Sequence, residues 1–368
     1  MYRVSWLFCL GLVMVSSLSA DEPKLRSTLK GHTAGVYAVA WSPDGKTLAS
    51  AGDDETIKLW DAATGKVKAT LKTKETDPTT AMAWSPDGKT LASGTYFDYT
   101  IRLWDVAGGK IIATLKAPGH ADLIEFDGVE SVAWSPNGKT LATVGNSAIK
   151  LWDVKTRKCT ATLKRPHDRW IGSVAWSPDG KRLASGGCDG TVCLWNVATG
   201  KTMAVFDLDT GSQTTALAFC PDGKTLASGN DCLIELWDLA RRKKRKTLEG
   251  HSCKLFTYGH GKFGGQYVPA VRSLAYSPDG KTLASASRDK TIRLWNMTDG
   301  KTTAVLKGHG GSVESVAWSP DGKTLASGGD DKTVKLWDVS AFVKKKPSPA
   351  TKPENRATTT TKKEKSQP

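Results

Sequence analysis

The chain has 368 residues, 14 of them tryptophan, and carries a formal charge of +15. Its apolar and charged fractions are those of a soluble globular protein, which excludes a collagen-like, low-complexity or multi-span membrane chain. No CxxC, CxxCH or zinc-type spacing occurs, which argues against thioredoxin-like, c-haem and zinc-finger chemistry.

Residues 1–20, MYRVSWLFCLGLVMVSSLSA, stand apart from the rest. Arg3 precedes an apolar run from Trp6 to Val15, and small residues end at Ala20. That three-part pattern predicts a signal peptide cleaved after Ala20 and an extracytoplasmic mature protein, secreted or periplasmic. The run is short against the roughly 20 residues of a membrane span; the alternative is an uncleaved segment that anchors the chain to a membrane. Without Cys9, the remaining cysteines are Cys159, Cys188, Cys193, Cys220, Cys232 and Cys253. They occupy unrelated positions, so mostly free thiols with at most one local bridge are expected, and the sequence does not choose a pairing.

From residue 21 to 343 one phrase keeps returning. WSPDGKTLAS begins at Trp41, Trp84 and Trp318, with variants at Trp134, Trp176, Phe219 and Tyr276. Each is followed by LWD or LWN, at Trp60, Trp104, Trp152, Trp195, Trp237, Trp295 and Trp337. Successive tryptophans of this second signal are 44, 48, 43, 42, 58 and 42 residues apart, mostly the period of a four-stranded propeller blade. The first unit reads as a strand over Val36–Trp41, a tight turn at Ser42-Pro43-Asp44-Gly45 and a second strand from Leu48. A turn at Asp53-Asp54 leads into a third strand, Thr56–Asp61, and Ala63–Lys66 turns into a fourth, Val67–Leu71. One such sheet cannot bury both faces alone. The expected fold is therefore all-β, a seven-bladed β-propeller of four-stranded antiparallel blades closed into a ring.

GH, then WSPDG, then D-x-T-[IV]-[KR]-LWD resembles the WD40 repeat family, across about residues 24 to 340. The resemblance implies that the first strand completes the last blade. Lys24–Lys30, KLRSTLK, looks like the outer-strand segments KATLK and TAVLK and is expected to join Val313–Val339. It also implies buried hydrogen-bonded tetrads at His32, Ser50, Asp54 and Trp60, at His167, Ser185, Asp189 and Trp195, and at His309, Ser327, Asp331 and Trp337. A catalytic reading of these sets lacks any GxSxG context. Blade two has Asp98 and Trp104 but no matching His, and blade five has Asp231 and Trp237 without one. Blade three has His120 and Thr143, with Asn146 in place of the Asp. These three blades are expected to be the less rigid ones. Gly259–Gly264 fits GxGxxG but has no βαβ context, and His251 and His260 have no further metal-type ligands in spacing. No catalytic, cofactor-binding or metal residue is assigned, and no cofactor is expected.

Function then falls to the loops of one face. Tyr37, Thr80, Glu130, Trp170, Arg272 and Glu314, before or at the start of first strands, are expected to be exposed there. Asp53, Phe97, Arg288 and Asp330, beside the Asp turns, join them. Exposed aromatics flanked by charge suit a protein-binding hot spot. Between His251 and Tyr276 the sixth unit carries 16 more residues than the first does between His32 and Trp41. Loop 252–268, with Phe256 and Tyr258, is expected on the same face. The predicted function is a monomeric, non-catalytic protein–protein interaction scaffold with a protein or peptide partner and no nucleic acid. The alternative is a propeller enzyme or carbohydrate-binding protein with its site at the central channel. That alternative needs inward acid, base or metal groups, and the small residues there, such as Ala38 and Ser315, offer little of that. The basic run Arg241–Lys246 is expected on an exposed outer strand, where charge discourages pairing. Residues 344–368 carry +6 and lack apolar residues, so they are expected to be a disordered basic tail able to contact an acidic surface.

Overall fold

Short apolar and β-branched runs, each stopped by Pro-Asp-Gly, Asp-Asp or Thr-Gly, leave the chain no period but that of antiparallel strands. The computed structural model describes residues 23–73, 77–96, 99–116, 128–145, 148–164, 167, 169–208, 213–252 and 271–342. Residues 1–22 with the expected signal peptide, the expected tail at 344–368, Phe97, Asp98, His120, Asn146, Phe256, Tyr258 and residues 253–270 lie outside the described residues. Strand β1, Lys24–Lys30, is followed by a first blade of β2, Val36–Trp41, β3, Thr47–Gly52, β4, Thr56–Asp61, and β5, Val67–Lys72. Those four strands pair in chain order, and the same meander recurs until seven four-stranded sheets are formed. The last sheet has the order β1, Thr333–Asp338, Thr324–Gly329, Val313–Trp318. The expected closure by the N-terminal strand is thus present. Lys24 pairs with Asp338 and Lys30 with Thr333, with a bulge between Leu25 and Ser27.

The inner strands form the ring. Strand β2 packs against Thr79–Trp84 of blade two and Val313–Trp318 of blade seven, so no blade is left at an end. Each hydrophobic cluster spans two blades. Ile57, Leu59 and Leu71 of blade one pack with Trp84, Leu91 and Trp104 of blade two. Val334 and Leu336 of blade seven pack with Val36, Leu48 and Trp60 of blade one, together with Leu29 of β1. A blade alone would leave these faces wet; the neighbour supplies the burial that makes it stable.

The Pro-Asp-Gly turns are closed by side chains. Ser42 Oγ donates to Asp44 Oδ1 at 2.6 Å and accepts from the Thr47 amide at 2.9 Å. The Lys46 amide donates to the same carboxylate at 3.0 Å. These bonds hold Asp44 below the usual carboxylate range. Gly45 sits at φ 69°, a conformation open to glycine at little cost.

The high tryptophan count resolves into two structural duties. Within a blade, Trp60, Trp104, Trp195, Trp237, Trp295 and Trp337 donate their indole N–H to a serine hydroxyl, and Trp152 to Thr143, at 2.7–2.9 Å. Between blades, Trp84, Trp134, Trp176 and Trp318 donate to Ala40, Ala83, Ala133 and Ala275 carbonyls of the preceding blade at 3.0 Å. Trp41 reaches Ala317 at 3.2 Å, so this set of ties crosses the closure as well. Phe219 and Tyr276 occupy the same position in blades five and six. Phe219 has no N–H to offer, and the buried Tyr276 hydroxyl has no hydrogen-bond partner. An orphaned buried hydroxyl costs about 1–3 kcal/mol. Tyr276→Phe is therefore expected to be neutral or to stabilise the protein by up to about 1 kcal/mol, measured by denaturant unfolding. A clear destabilisation would show that the hydroxyl has a partner in solution.

The basic run is placed partly as expected. Lys243–Glu249 is the outer strand of blade five, and Lys243 to Lys246 are exposed on it. Arg241 and Arg242 lie in the preceding turn, and the Arg241 guanidinium pairs with Asp238 at 2.9 Å.

Candidate functional site

Among the described residues, four blades carry a complete polar tetrad. In the first, Trp60 Nε1 donates to Ser50 Oγ at 2.7 Å, Ser50 bonds His32 Nε2 at 2.7 Å, and His32 Nδ1 lies 2.9 Å from Asp54. Burial lowers the pKa of His32 and keeps its ring neutral. Burial alone would raise Asp54, but hydrogen bonds from Thr56, Thr33 and His32 outweigh it and hold the carboxyl below its ordinary range. A neutral ring beside an ionised carboxylate fixes the direction of the chain: indole N–H to serine, serine O–H to Nε2, Nδ1–H to carboxylate. The sets at His167 and His309 repeat this geometry, with His–Ser distances of 2.7 Å. All three predicted tetrads are present.

The fourth complete tetrad escaped the sequence reading. His251 bonds Ser285 at 2.7 Å and Asp289 at 2.8 Å, and Trp295 donates to Ser285 at 2.8 Å. Its His and Asp are 38 residues apart instead of 22, because the 16 extra residues intervene. Ser285, Asp289 and Trp295 keep the spacing of the other sets and were the available signal. In blades two, three and five the described part of the set is the tryptophan bond to Ser93, Thr143 and Ser228. In each complete set the serine is spent between histidine and indole and is almost fully buried, so these residues bind the blade together.

A different set of polar groups gathers where the inner strands begin. In five of the seven blades the ladder of the inner strand with its neighbour skips one residue there: Tyr37, Thr80, Gly172, Arg272 and Glu314 are the skipped positions. A bulge re-aims its side chain, and around a ring the re-aimed positions line the mouth of the channel. Glu130 stands at the same place in blade three, its amide bonded to the Val144 carbonyl at 3.0 Å. Trp170 is offset from the equivalent Gly172, immediately before the strand Ile171–Trp176.

The expected exposure of these residues does not hold throughout. Glu314 is 8% exposed and lies 2.6 Å from Arg272 Nε, and it also accepts from Ser312 Oγ. Burial works against its charge, yet Arg272 and these hydrogen bonds hold Glu314 below the usual glutamate range. Asp330 is raised by burial and by the charge of Glu314, with Arg288 and Arg272 pulling the other way. Glu130 is pushed up to about 7 by burial, against a smaller opposing effect of Arg272. Tyr37, Trp170 and Arg288 are half-buried. Position at the start of first strands had placed these side chains outside; instead Arg272 and Glu314, both at bulges, meet as an ion pair. The channel mouth is therefore far more acidic and basic than Ala38 and Ser315 suggest. Ser315 itself serves the scaffold, accepting from the Val39 amide of blade one at 3.1 Å.

The cysteines divide cleanly. Cys159 is an exposed free thiol, and Cys188, Cys193 and Cys220 are buried free thiols. Burial pushes Cys188 and Cys220 up to about 11 and Cys193 to about 12, which makes them poor nucleophiles. Cys232 is disulfide-bonded. Among the described residues no group of three or more His, Cys, Asp or Glu side chains is placed to hold a metal ion.

With this geometry in view, comparison with known proteins gives a consistent result. The family described as WD domain, G-beta repeat matches at residues 23–61, 65–105, 109–153, 157–196, 200–238, 242–296 and 300–338. Those seven stretches follow the seven blades. Small ribosomal subunit protein RACK1z of Arabidopsis thaliana is 60% identical over 43 residues, 12% of this chain and 13% of that protein. WD repeat-containing protein 1 of Gallus gallus is 45% identical over 42 residues, covering 11% and 7% respectively. Vegetative incompatibility protein HET-E-1 of Podospora anserina is 45% identical over 51 residues, covering 14% and 4%. The chain thus spans only 4–13% of the length of these relatives, about one repeat of each.

Proposed function

The chain belongs to the WD40 repeat family, and from that premise we propose that it is a non-catalytic protein-interaction scaffold whose partner sits over the channel mouth. The observation that carries this reading is a contrast between two polar sets. The tetrad residues are closed upon themselves and buried, whereas the mouth holds charged and aromatic side chains from several blades on one rim. Tyr37, Trp170, Arg272 and Arg288 supply the aromatic and guanidinium groups on which interface energy usually concentrates. Phe97 and the aromatics of loop 252–268 extend the same face in this reading. The protein acts as a monomer, and its basic tail adds a contact to acidic surfaces.

The reading includes export. The N-terminal pattern Arg3, an apolar run, then Ala20 supports it, and so does a disulfide at Cys232, since such bonds persist in oxidising compartments. Fractionation of cells expressing the chain with and without residues 1–20 tests this part; equal retention of both in the cytoplasm would refute it.

The binding face is tested by affinity capture with the mature protein as bait. Tyr37→Ala combined with Trp170→Ala is expected to cut the yield of a captured protein about tenfold or more, the loss of one hot spot. Lys46→Ala, in a Pro-Asp-Gly turn at the far ends of the same strands, is the control and should change nothing. Equal capture by bait and double variant would sink the assignment. One observation favours the alternative enzyme reading: a carboxyl poised near neutrality, as Glu130 is, suits general acid–base work. Turnover of a chromogenic glycoside that disappears in Glu130→Gln would replace the scaffold reading with that one.

A further inference from the structure

We infer that the channel mouth between blades two and four receives a single cationic side chain of the partner, a lysine ammonium or an arginine guanidinium, with Glu130 as its acceptor. The inference rests on the reading of this rim as the partner face and names the chemistry it selects.

Three observations lead there. First, Glu130 Oε1 is buried and has no hydrogen-bond partner. Buried polar atoms are nearly always satisfied, and an orphan calls for an explanation. Second, among the described residues the cation that Glu130 senses is already taken: Arg272 is bonded to Glu314 at 2.6 Å, so Glu130 feels it only from a distance and has no cation of its own. Third, the surroundings suit a cation with an alkyl stem. Tyr96 packs on the Gly128 backbone two residues before Glu130, and burial followed by the charge of Glu130 raises its phenol. On the other side in ring order, Trp170 accepts the Cys188 amide at 2.7 Å, and Cys188 also senses Glu130. A tyrosine ring close to a carboxylate adds its face to the charge in attracting a cation. The Trp170 indole N–H, in the neighbouring blade, is also buried without a partner.

The proton on Glu130 gates the site. Among the described residues, the titratable and charged groups coupled to it are Arg272, Tyr96 and Cys188, and none of these changes charge near neutrality. Glu130 ionises around pH 7, so cation binding should strengthen about tenfold between pH 6 and pH 8.

The test uses Nα-acetyl-lysine methylamide and Nα-acetyl-arginine methylamide as probes, with the norleucine analogue as uncharged control. The readout is the Trp170 indole N–H cross-peak in the 15N-labelled mature protein, identified by its loss in Trp170→Phe. Saturable shifts with one or both cations, absent with norleucine amide, reduced at least about tenfold in Glu130→Gln and weakened at pH 6, are the expected result. Glu130→Asp, which keeps the charge, should retain part of the response and guards against a variant that merely misfolds. Equal shifts from charged and uncharged probes, or full binding to Glu130→Gln, would overturn the inference. The scaffold reading fails separately, in the capture experiment, which does not depend on Glu130.

Discussion

A chain shortened to begin at Gly31 is expected to lose its closed monomeric state. Deleting Lys24–Lys30 removes every ladder bond on the outer side of Thr333–Asp338 and leaves that strand as an open edge. It also removes Leu29, 5% exposed, from a cluster with Leu48, Trp60, Val334 and Leu336. Loss of one such leucine costs about 2–5 kcal/mol on its own. The remaining edge is flat and ready to pair with a second molecule. The shortened protein should melt about 10 °C lower or more and aggregate with concentration in light scattering. Leu29→Ala, which keeps the ladder, should fall between it and the intact protein. A truncated chain that stays monodisperse with an unchanged melting temperature would show that the seam is held by the other six blades.

The second large effect is expected at the tetrad serines, and its size should depend on the blade. Ser285→Ala strands both the Trp295 indole N–H and His251 Nε2, groups it meets at 2.8 and 2.7 Å. Ser93→Ala strands only the Trp104 indole, bonded at 2.9 Å. With about 1–3 kcal/mol for each orphaned group, the first should cost about 3 kcal/mol or more and the second about 1–2 kcal/mol. Equal losses in urea unfolding would mean that the histidine contributes nothing. Hydrogen exchange gives a parallel reading, with faster amides in blades two, three and five than in the four complete blades.

Acid should undo the same sets in two stages. The folded pKa of His32 is depressed by burial, so the unfolded chain takes up protons below about pH 6.5 while the folded one does not. Stability therefore begins to fall as pH drops through that value. Asp54, Asp189, Asp289 and Asp331 are held below the ordinary range by their hydrogen bonds, against burial. Their contribution is complete above about pH 4 and is lost as pH falls further. Melting temperature against pH should show a shoulder before the steep loss.

How much of this could be read from the sequence depended on whether the repeat itself carried the signal. Strand positions, the Pro-Asp-Gly turns and the joining of β1 to the last blade were legible because hydrophobic pattern and turn residues recur in register. The tetrad at His251 went unnamed although its histidine stands in the same Gly-His pair as His32, because the 16 extra residues lengthen its separation from Asp289. The bonds from Trp84 to Ala40 and its equivalents were invisible for another reason: they join neighbouring units, and a repeat shows only what each unit contains. At the channel mouth the pattern actively misled. Glu314 and Arg272 read as exposed charges from their place at the start of first strands, yet at a one-residue bulge in each ladder they form an ion pair with Glu314 buried. Sequence shows the residue but not the bulge.

Placing the first strand in the last blade has a consequence for synthesis. Thr28 and Lys335, which meet across the seam at 3.3 Å, are 307 positions apart. The ribosome releases one more than three hundred steps before the other, so the opening strand must wait, unzipped, while six blades are made. The ring therefore closes on the strand made earliest, and any factor that escorts the nascent chain must shield that strand through the synthesis of the blades that follow.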